Sequence, residues 1–174
     1  MDVLFRNCFY EMDHKAYMNY LIERHDDLGL PYSFAMKLSF ISSPLIYGKA
    51  ILAVEQENNE FVGAIGYVFG TGEDEYRDRQ VAQLEIAYLE KPYRGGALFA
   101  RLLGATVDSI RQAEPNVSRL QFWAAPREAS FKRLIARLMT LPGSASVTAE
   151  NGLTLFQVDF RELEAYCDRW RHAA

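Results

Sequence analysis

The sequence predicts an α+β (mixed α/β) domain: a mostly antiparallel sheet with one internal parallel strand pair, flanked by helices and closed by a C-terminal helix. Three observations predict it. Two pairs of β-rich runs are each joined by a short polar turn, "KAILAVEQ" and "FVGAIGYVF" around "ENNE", and "SASVTAE" and "LTLFQVDF" around Asn151-Gly152. Both pairs read as hairpins. Between them, the strand-like "VAQLEIAYL" (81–89) passes through a helical segment to a second strand-like run, "RLQFWAA". That order makes a parallel crossover, which should be right-handed. Finally, apolar stripes recur every three or four residues in several segments, the signature of helices that bury one face.

In chain order, "VLFRNCFY" (3–10) is rich in β formers and reads as the first strand. "DHKAYMNYLIERHDDLG" follows as a helix, with Asp13 in the N-cap role and Gly29 at its end. "SFAMKLSFISS" reads as a second helix, stopped near Pro44 because proline disfavours helix in the residue before it. The first hairpin comes next, then the polar loop "GTGEDEYRDR" (70–79) and the strand 81–89. Phe99, Leu103, Thr106 and Ile110 mark the crossover helix over 98–113. "AEPNVS" breaks it before the next strand, and Phe131, Leu134, Ile135 and Leu138 mark a fourth helix. Asn151-Gly152 signals a type I′ turn in the second hairpin. Phe160, Leu163, Tyr166, Cys167 and Trp170 then place one face of a last helix on the core. No repeat or linker divides the chain, so one domain is expected over residues 1–174.

A composition of 49% hydrophobic and 24% charged residues is that of an ordinary globular protein. A net charge of −4 speaks against a general nucleic-acid binder. No apolar run reaches the length of a membrane span, and the first residues do not resemble a signal peptide. A cytoplasmic protein with no membrane partner is the expectation. Cys8 and Cys167 match no metal-ligand spacing, and His14, His25 and His172 form no ligand or nucleophile–base pattern, so no metal is expected.

The junction "EKPYRGGALFARLL" (90–103) carries the functional argument. A strand runs into Arg94, two adjacent glycines and a helix start. Gly95 and Gly96 permit backbone bending and close approach of a partner. The first turn of a helix leaves N–H groups unpaired and presents the positive end of its dipole, which suits an anion. The segment lacks the Lys-Ser/Thr of a Walker loop and the G-x-G-x-x-G of a dinucleotide fingerprint. The plain alternative is a tight strand–helix turn with solvated cations, Lys91, Arg94 and Arg101, around it.

With its strand, "PYRGG" and helix placed after a hairpin, the chain resembles the GNAT superfamily of acyl-CoA-dependent N-acyltransferases. The likeness in element order runs over most of the chain. It implies a sheet whose fourth and fifth strands splay apart to admit the pantetheine arm, with acetyl-CoA as cosubstrate. In the family a Q/R-x-x-G-x-G/A segment wraps the pyrophosphate. Arg94 takes the Q/R position here, and Gly95, Gly96, Ala97, Leu98 and Phe99 supply the loop and helix start. Ala97 stands where the family has glycine and Phe99 where it has the final glycine or alanine, and Phe99 is expected to turn into the core with Leu103. The resemblance further implies that backbone N–H groups over Ala87, Tyr88 and Leu89 hold the thioester carbonyl and pantetheine.

Acyl transfer to an amine requires removal of a proton from the amine, polarisation of the carbonyl, and departure of a thiolate. Alternation along 81–89 puts Ala82, Leu84, Ile86 and Tyr88 on one face, and Val81, Gln83, Glu85, Ala87 and Leu89 on the other. If both faces are covered, burial raises the Glu85 carboxyl and makes it the candidate base, with Gln83 positioning polar groups. The competing reading is a glutamate on a half-exposed face. Family members often carry a tyrosine acid on the fourth helix; "PREASFKRLIARL" has none, and Ser130 and Tyr88 are the nearest hydroxyls. Asp26 and Asp27, with Tyr32, lie in the connection that lines the acceptor site in the family, where they would hold an amine. The acceptor would be a small-molecule or protein amine, with homodimerisation left open. The rival function is a binding or interaction module that keeps this fold without turnover.

Overall fold

The computed structural model describes residues 2–173. Its elements are β1 (Val3–Asn7), α1 (Glu11–Glu23), α2 (Phe34–Tyr47), β2 (Gly48–Glu55), β3 (Glu60–Phe69), β4 (Val81–Leu89), α3 (Leu98–Ala113), β5 (Arg119–Ala124), α4 (Ala129–Leu138), β6 (Ala145–Thr148), β7 (Thr154–Asp159) and α5 (Phe160–Ala173). The described residues form one seven-stranded sheet in the order β1-β2-β3-β4-β5-β7-β6. β4 and β5 run parallel, and the other neighbours are antiparallel. This is the mixed, mostly antiparallel sheet that the hairpins and the crossover predict.

Each sheet face has its own core. Tyr67, Leu120, Leu103, Val107, Ile110 and Leu163 belong to one cluster, which packs α3, α4 and α5 on the sheet. Tyr17, Leu21, Ile41, Leu52, Ile86 and Tyr88 belong to the other, which packs α1 and α2. Burial of a side chain of this size contributes roughly 1.5–3 kcal/mol, so the two clusters dominate the stabilisation. The fully buried Thr106 turns its hydroxyl back to the Leu102 carbonyl at 2.8 Å, which satisfies a polar group in the apolar stripe of α3.

Four local expectations change. The first strand ends at Asn7 rather than at residue 10, and α1 runs from Glu11 only to Glu23, well short of Gly29, with a separate 3-10 turn over His25–Asp27. Asp13 therefore sits in the first turn of α1 rather than at its cap, and its carboxylate accepts from the Phe9 and Tyr10 N–H groups at 3.3 Å. α2 runs through Pro44 to Tyr47. Pro44 cannot donate to the Phe40 carbonyl, but the Ser43 hydroxyl approaches that carbonyl at 3.5 Å, and the proline ring is buried against Gly66. The second hairpin turn is not type I′: Gly152 has φ +86° but Asn151 is not left-handed, and the Gly152 N–H bonds to the Ala149 carbonyl at 3.1 Å.

The fourth change matters most for function. β3 and β4 pair Gly66 with Ile86 and Tyr67 with Leu84, which leaves Glu85 as the extra residue of a β-bulge. Strict alternation fails there. Ala82, Leu84, Ala87 and Leu89 belong with the α3 side, whereas Ile86 and Tyr88 belong with the α1–α2 side. The predicted faces hold up to Leu84 and exchange partners after the bulge.

Gly66 stands beside this bulge. A Cβ there would lie 2.5 Å from the Tyr17 hydroxyl and 2.6 Å from Pro44 Cγ. Both neighbours belong to buried side chains, so neither can withdraw freely. Gly66→Ala is expected to destabilise the fold by about 1–3 kcal/mol, read as a lower denaturant midpoint at unchanged slope.

Candidate functional site

β4 and β5 stay paired only from Val81–Arg119 to Leu84–Phe122. Beyond that the strands part, while β5 continues against β7 as far as Ala124. The opening holds a cavity of about 490 Å³, bordered by Glu85, Ala87 and Leu89 of β4 and by Phe122 and Trp123 of β5. This splay is the one the family resemblance implies.

The unpaired edge of β4 offers donors to the cavity. The Glu90 N–H bonds to the Val62 carbonyl of β3 at 2.8 Å. By alternation Tyr88 and Ile86 also point at β3, and the N–H groups of Ala87 and Leu89 point into the opening. The Leu89 carbonyl shares that side and accepts from Arg94 Nε at 2.7 Å.

The cavity continues to the start of α3, where Gly95, Gly96, Ala97 and Phe99 border it. Among the described residues, no partner accepts from the backbone N–H groups of residues 95–100. Neither Gly95 nor Gly96 has a positive φ, and an added Cβ would meet nothing within 4 Å at either. The two glycines are therefore not required by the backbone bend; their effect is to leave a row of amides uncovered. Such a row at the positive end of α3 fits an anionic group such as the pyrophosphate of coenzyme A. Phe99 packs edge-to-face on Phe131 of α4, with ring centroids 5.0 Å apart, so its side chain joins the core while its N–H stays free.

Arg94 is not a free cation. Its guanidinium donates to Asp27 at 2.7 Å, to Glu128 at 3.2 Å and to the Leu89 carbonyl, and Ser130 donates to the Arg94 carbonyl at 2.7 Å. The side chain thus ties the loop before α3 to the end of β4, to the α1–α2 connection and to α4. Burial would raise the Asp27 carboxyl, but hydrogen bonds from Arg94 and Tyr88 bring it below its ordinary value. Tyr88 donates to Asp27 at 3.0 Å and to Glu90 at 3.3 Å, and burial followed by these carboxylates pushes its hydroxyl up to about 12. Glu90 also pairs with Arg24 and accepts from Tyr20. Both hydroxyls singled out in the sequence, Ser130 and Tyr88, are occupied by these contacts. Arg127, Arg133 and Arg137 border the cavity, whereas Arg101 turns away to the Val3 carbonyl of β1.

Glu85 combines the bulge, the cavity and burial. Desolvation raises its carboxyl to about 7, against a smaller lowering by the Gln83 amide, which lies 3.5 Å away. A carboxyl poised there is half ionised near neutral pH. Of the remaining candidates, Asp27 borders the cavity, whereas Asp26, Tyr32 and Gln83 lie outside its wall. Asp26 lies 3.3 Å from His25 Nδ1 at the surface. The Tyr32 hydroxyl accepts from Asn151 at 3.2 Å, joining the α1–α2 connection to the β6–β7 turn. Sequence reasoning missed Trp123 and Arg137 on the cavity wall, and Gln121, which donates to Gln83 at 2.7 Å. A glutamine inside each of two apolar strand runs was the available signal for the last.

Among the described residues no group of three or more His, Cys, Asp or Glu side chains could hold a metal ion, and no helix is long and apolar enough to cross a membrane. Cys8 and Cys167 are free and buried, and burial pushes their thiols up to about 12 and about 11.

No family model and no curated protein matches the sequence. Solved structures do match the fold. A GNAT-family acetyltransferase from Staphylococcus aureus Mu50 superposes with a TM-score of 0.61 at 12% identity, covering 91% of this chain and 99% of its own. The ribosomal-protein-S5-alanine acetyltransferase of Vibrio fischeri gives 0.61 at 17%, covering 91% and 93%. The aminoglycoside acetyltransferase AAC(6')-Ib, in complex with coenzyme A, gives 0.61 at 19%, covering 94% and 98%.

Proposed function

From the GNAT fold that this chain carries, we propose that it is an N-acyltransferase that moves an acetyl group from acetyl-CoA to a primary amine by direct attack. The observation that carries the reading is the meeting of three features in one cavity: the splayed β4 edge, the uncovered amides at the start of α3, and Glu85. The amides of residues 95–99 would hold the pyrophosphate, with Arg94 keeping their loop in place. The N–H groups of Ala87 and Leu89, which face the opening, would polarise the acyl carbonyl. Bound there, acetyl-CoA supplies the activated acyl group. Glu85 accepts the proton that the ammonium must lose before its nitrogen attacks, directly or through one water. A carbon–nitrogen bond then forms, the carbon–sulfur bond breaks, coenzyme A leaves as a thiolate, and the nitrogen gives its second proton to that thiolate or to water. A thiolate is a tolerable leaving group without a dedicated acid, in keeping with the occupied hydroxyls of Tyr88 and Ser130.

A panel of primary amines, small molecules and peptides with free N-termini, assayed for thiol release from acetyl-CoA, tests this. Amine-dependent release supports transfer. Release at the background rate with every amine would leave the rival, a binding module without turnover.

A further inference from the structure

Three glutamines on three adjacent strands form a ladder that ends on Glu85. Gln83, Gln121 and Gln157 stand at matched register positions of β4, β5 and β7. Gln157 Nε2 donates to Gln121 Oε1 at 3.2 Å, Gln121 Nε2 donates to Gln83 Oε1 at 2.7 Å, and Gln83 Nε2 approaches Glu85 Oε2 at 3.5 Å. Gln83 and Gln121 are buried, so an unpaired amide in either would be costly. Three amides in register are more than strand pairing requires, because apolar side chains would fill the same line.

The direction of the chain is fixed by its end. An ionised carboxylate only accepts hydrogen bonds, so Gln83 must turn its NH₂ toward Glu85. Its oxygen then faces Gln121, which must present its own NH₂, and so must Gln157 in turn. A protonated Glu85 would instead need an amide oxygen to donate to, but the oxygen of Gln83 faces Gln121 and its Nε2 faces Glu85. Each link polarises the next, so the donor offered to Glu85 is stronger than an isolated amide. The other titratable groups facing Glu85 are Tyr17 of α1 and Tyr76 of the β3–β4 connection. Burial raises both phenols, so both stay neutral as Glu85 ionises.

We propose that Gln121 and Gln157 are positioning residues that act through Gln83 to hold the Glu85 side chain and favour its carboxylate form. This rests on the reading of Glu85 as the base. The physical relay itself can be measured without any acceptor amine.

The test is the titration of the Glu85 side-chain carboxyl by carbon-13 NMR in the whole protein, with its resonance assigned from its loss in Glu85→Gln. Gln121→Met removes the middle amide while keeping side-chain length. It is expected to move the Glu85 midpoint upward by about half to one pH unit. Gln83→Met should shift it upward as well, and adding Gln121→Met to Gln83→Met should produce no further shift. An unchanged midpoint in a folded Gln121→Met protein, or an equal shift in both backgrounds, would overturn the relay. Should Gln121→Met fail to fold, Gln157→Met, on the partly exposed end, must give a smaller upward shift that also vanishes in the Gln83→Met background. In an active system, a rate–pH profile that ignores a displaced Glu85 midpoint would count against Glu85 as base and leave the relay standing.

Discussion

Replacing Glu85 with glutamine is expected to lower the rate of acyl transfer by about 10²–10⁴-fold, the usual contribution of a positioned base, while leaving acetyl-CoA affinity within about twofold. The substitution keeps the shape of the side chain and its hydrogen bonding to Gln83, and removes only the ability to take a proton. In the unmodified protein the rate should rise with pH through about 7, where burial has placed this carboxyl. Stability should move in the opposite sense. The folded protein holds the proton to higher pH than the unfolded chain does, so stability is favoured below the ordinary glutamate range and declines as pH rises toward 7. Glu85→Gln has no such proton to lose. Relative to the parent, it should therefore be more stable at pH 8 than at pH 4. Steady-state rates and thermal unfolding at the two pH values check both halves. A variant with full activity would remove Glu85 from the chemistry whatever its effect on stability.

The second large effect is expected from Ala97→Asp. Ala97 caps the first turn of α3 without any side-chain hydrogen bond and is exposed. A carboxylate placed there meets the positive end of the helix and should stabilise it by about 0.3–1 kcal/mol. The same charge would stand beside the amides proposed to hold the pyrophosphate, and is expected to weaken acetyl-CoA binding by at least roughly tenfold through like-charge repulsion. Opposite signs on stability and affinity separate an anion site from a mere turn. If both quantities rise together or stay unchanged, residues 95–99 do not bind phosphate.

The sequence revealed the architecture wherever local pattern and tertiary outcome agree. Polar turns between apolar runs gave both hairpins, and the stripe from Phe99 to Ile110 gave α3 nearly to its ends. Pro44 misled because the rule applied to it is a local steric preference of the residue before a proline. It takes no account of a serine that reaches the freed carbonyl or of a glycine that makes room for the ring. The faces of β4 could not be read through Glu85, because a bulge leaves no mark in a short apolar strand and reverses every side chain after it. At the site, Arg94 and the glycines were legible as a junction. Their division of labour was not, since the ion pairs of Arg94 come from Asp27 and Glu128, each far from it in sequence. The glutamines stand out in their apolar strand runs, but that Gln83, Gln121 and Gln157 line up follows only from strand register.

The measurement that tests the central claim most directly is calorimetric titration of the purified protein with acetyl-CoA. Saturable binding of about one equivalent per chain, with a Kd in the micromolar range of about −8 kcal/mol, is the predicted result. Absence of binding heat across several temperatures, with the protein folded throughout, would contradict it and reduce the amide row at the start of α3 to an uncovered helix end.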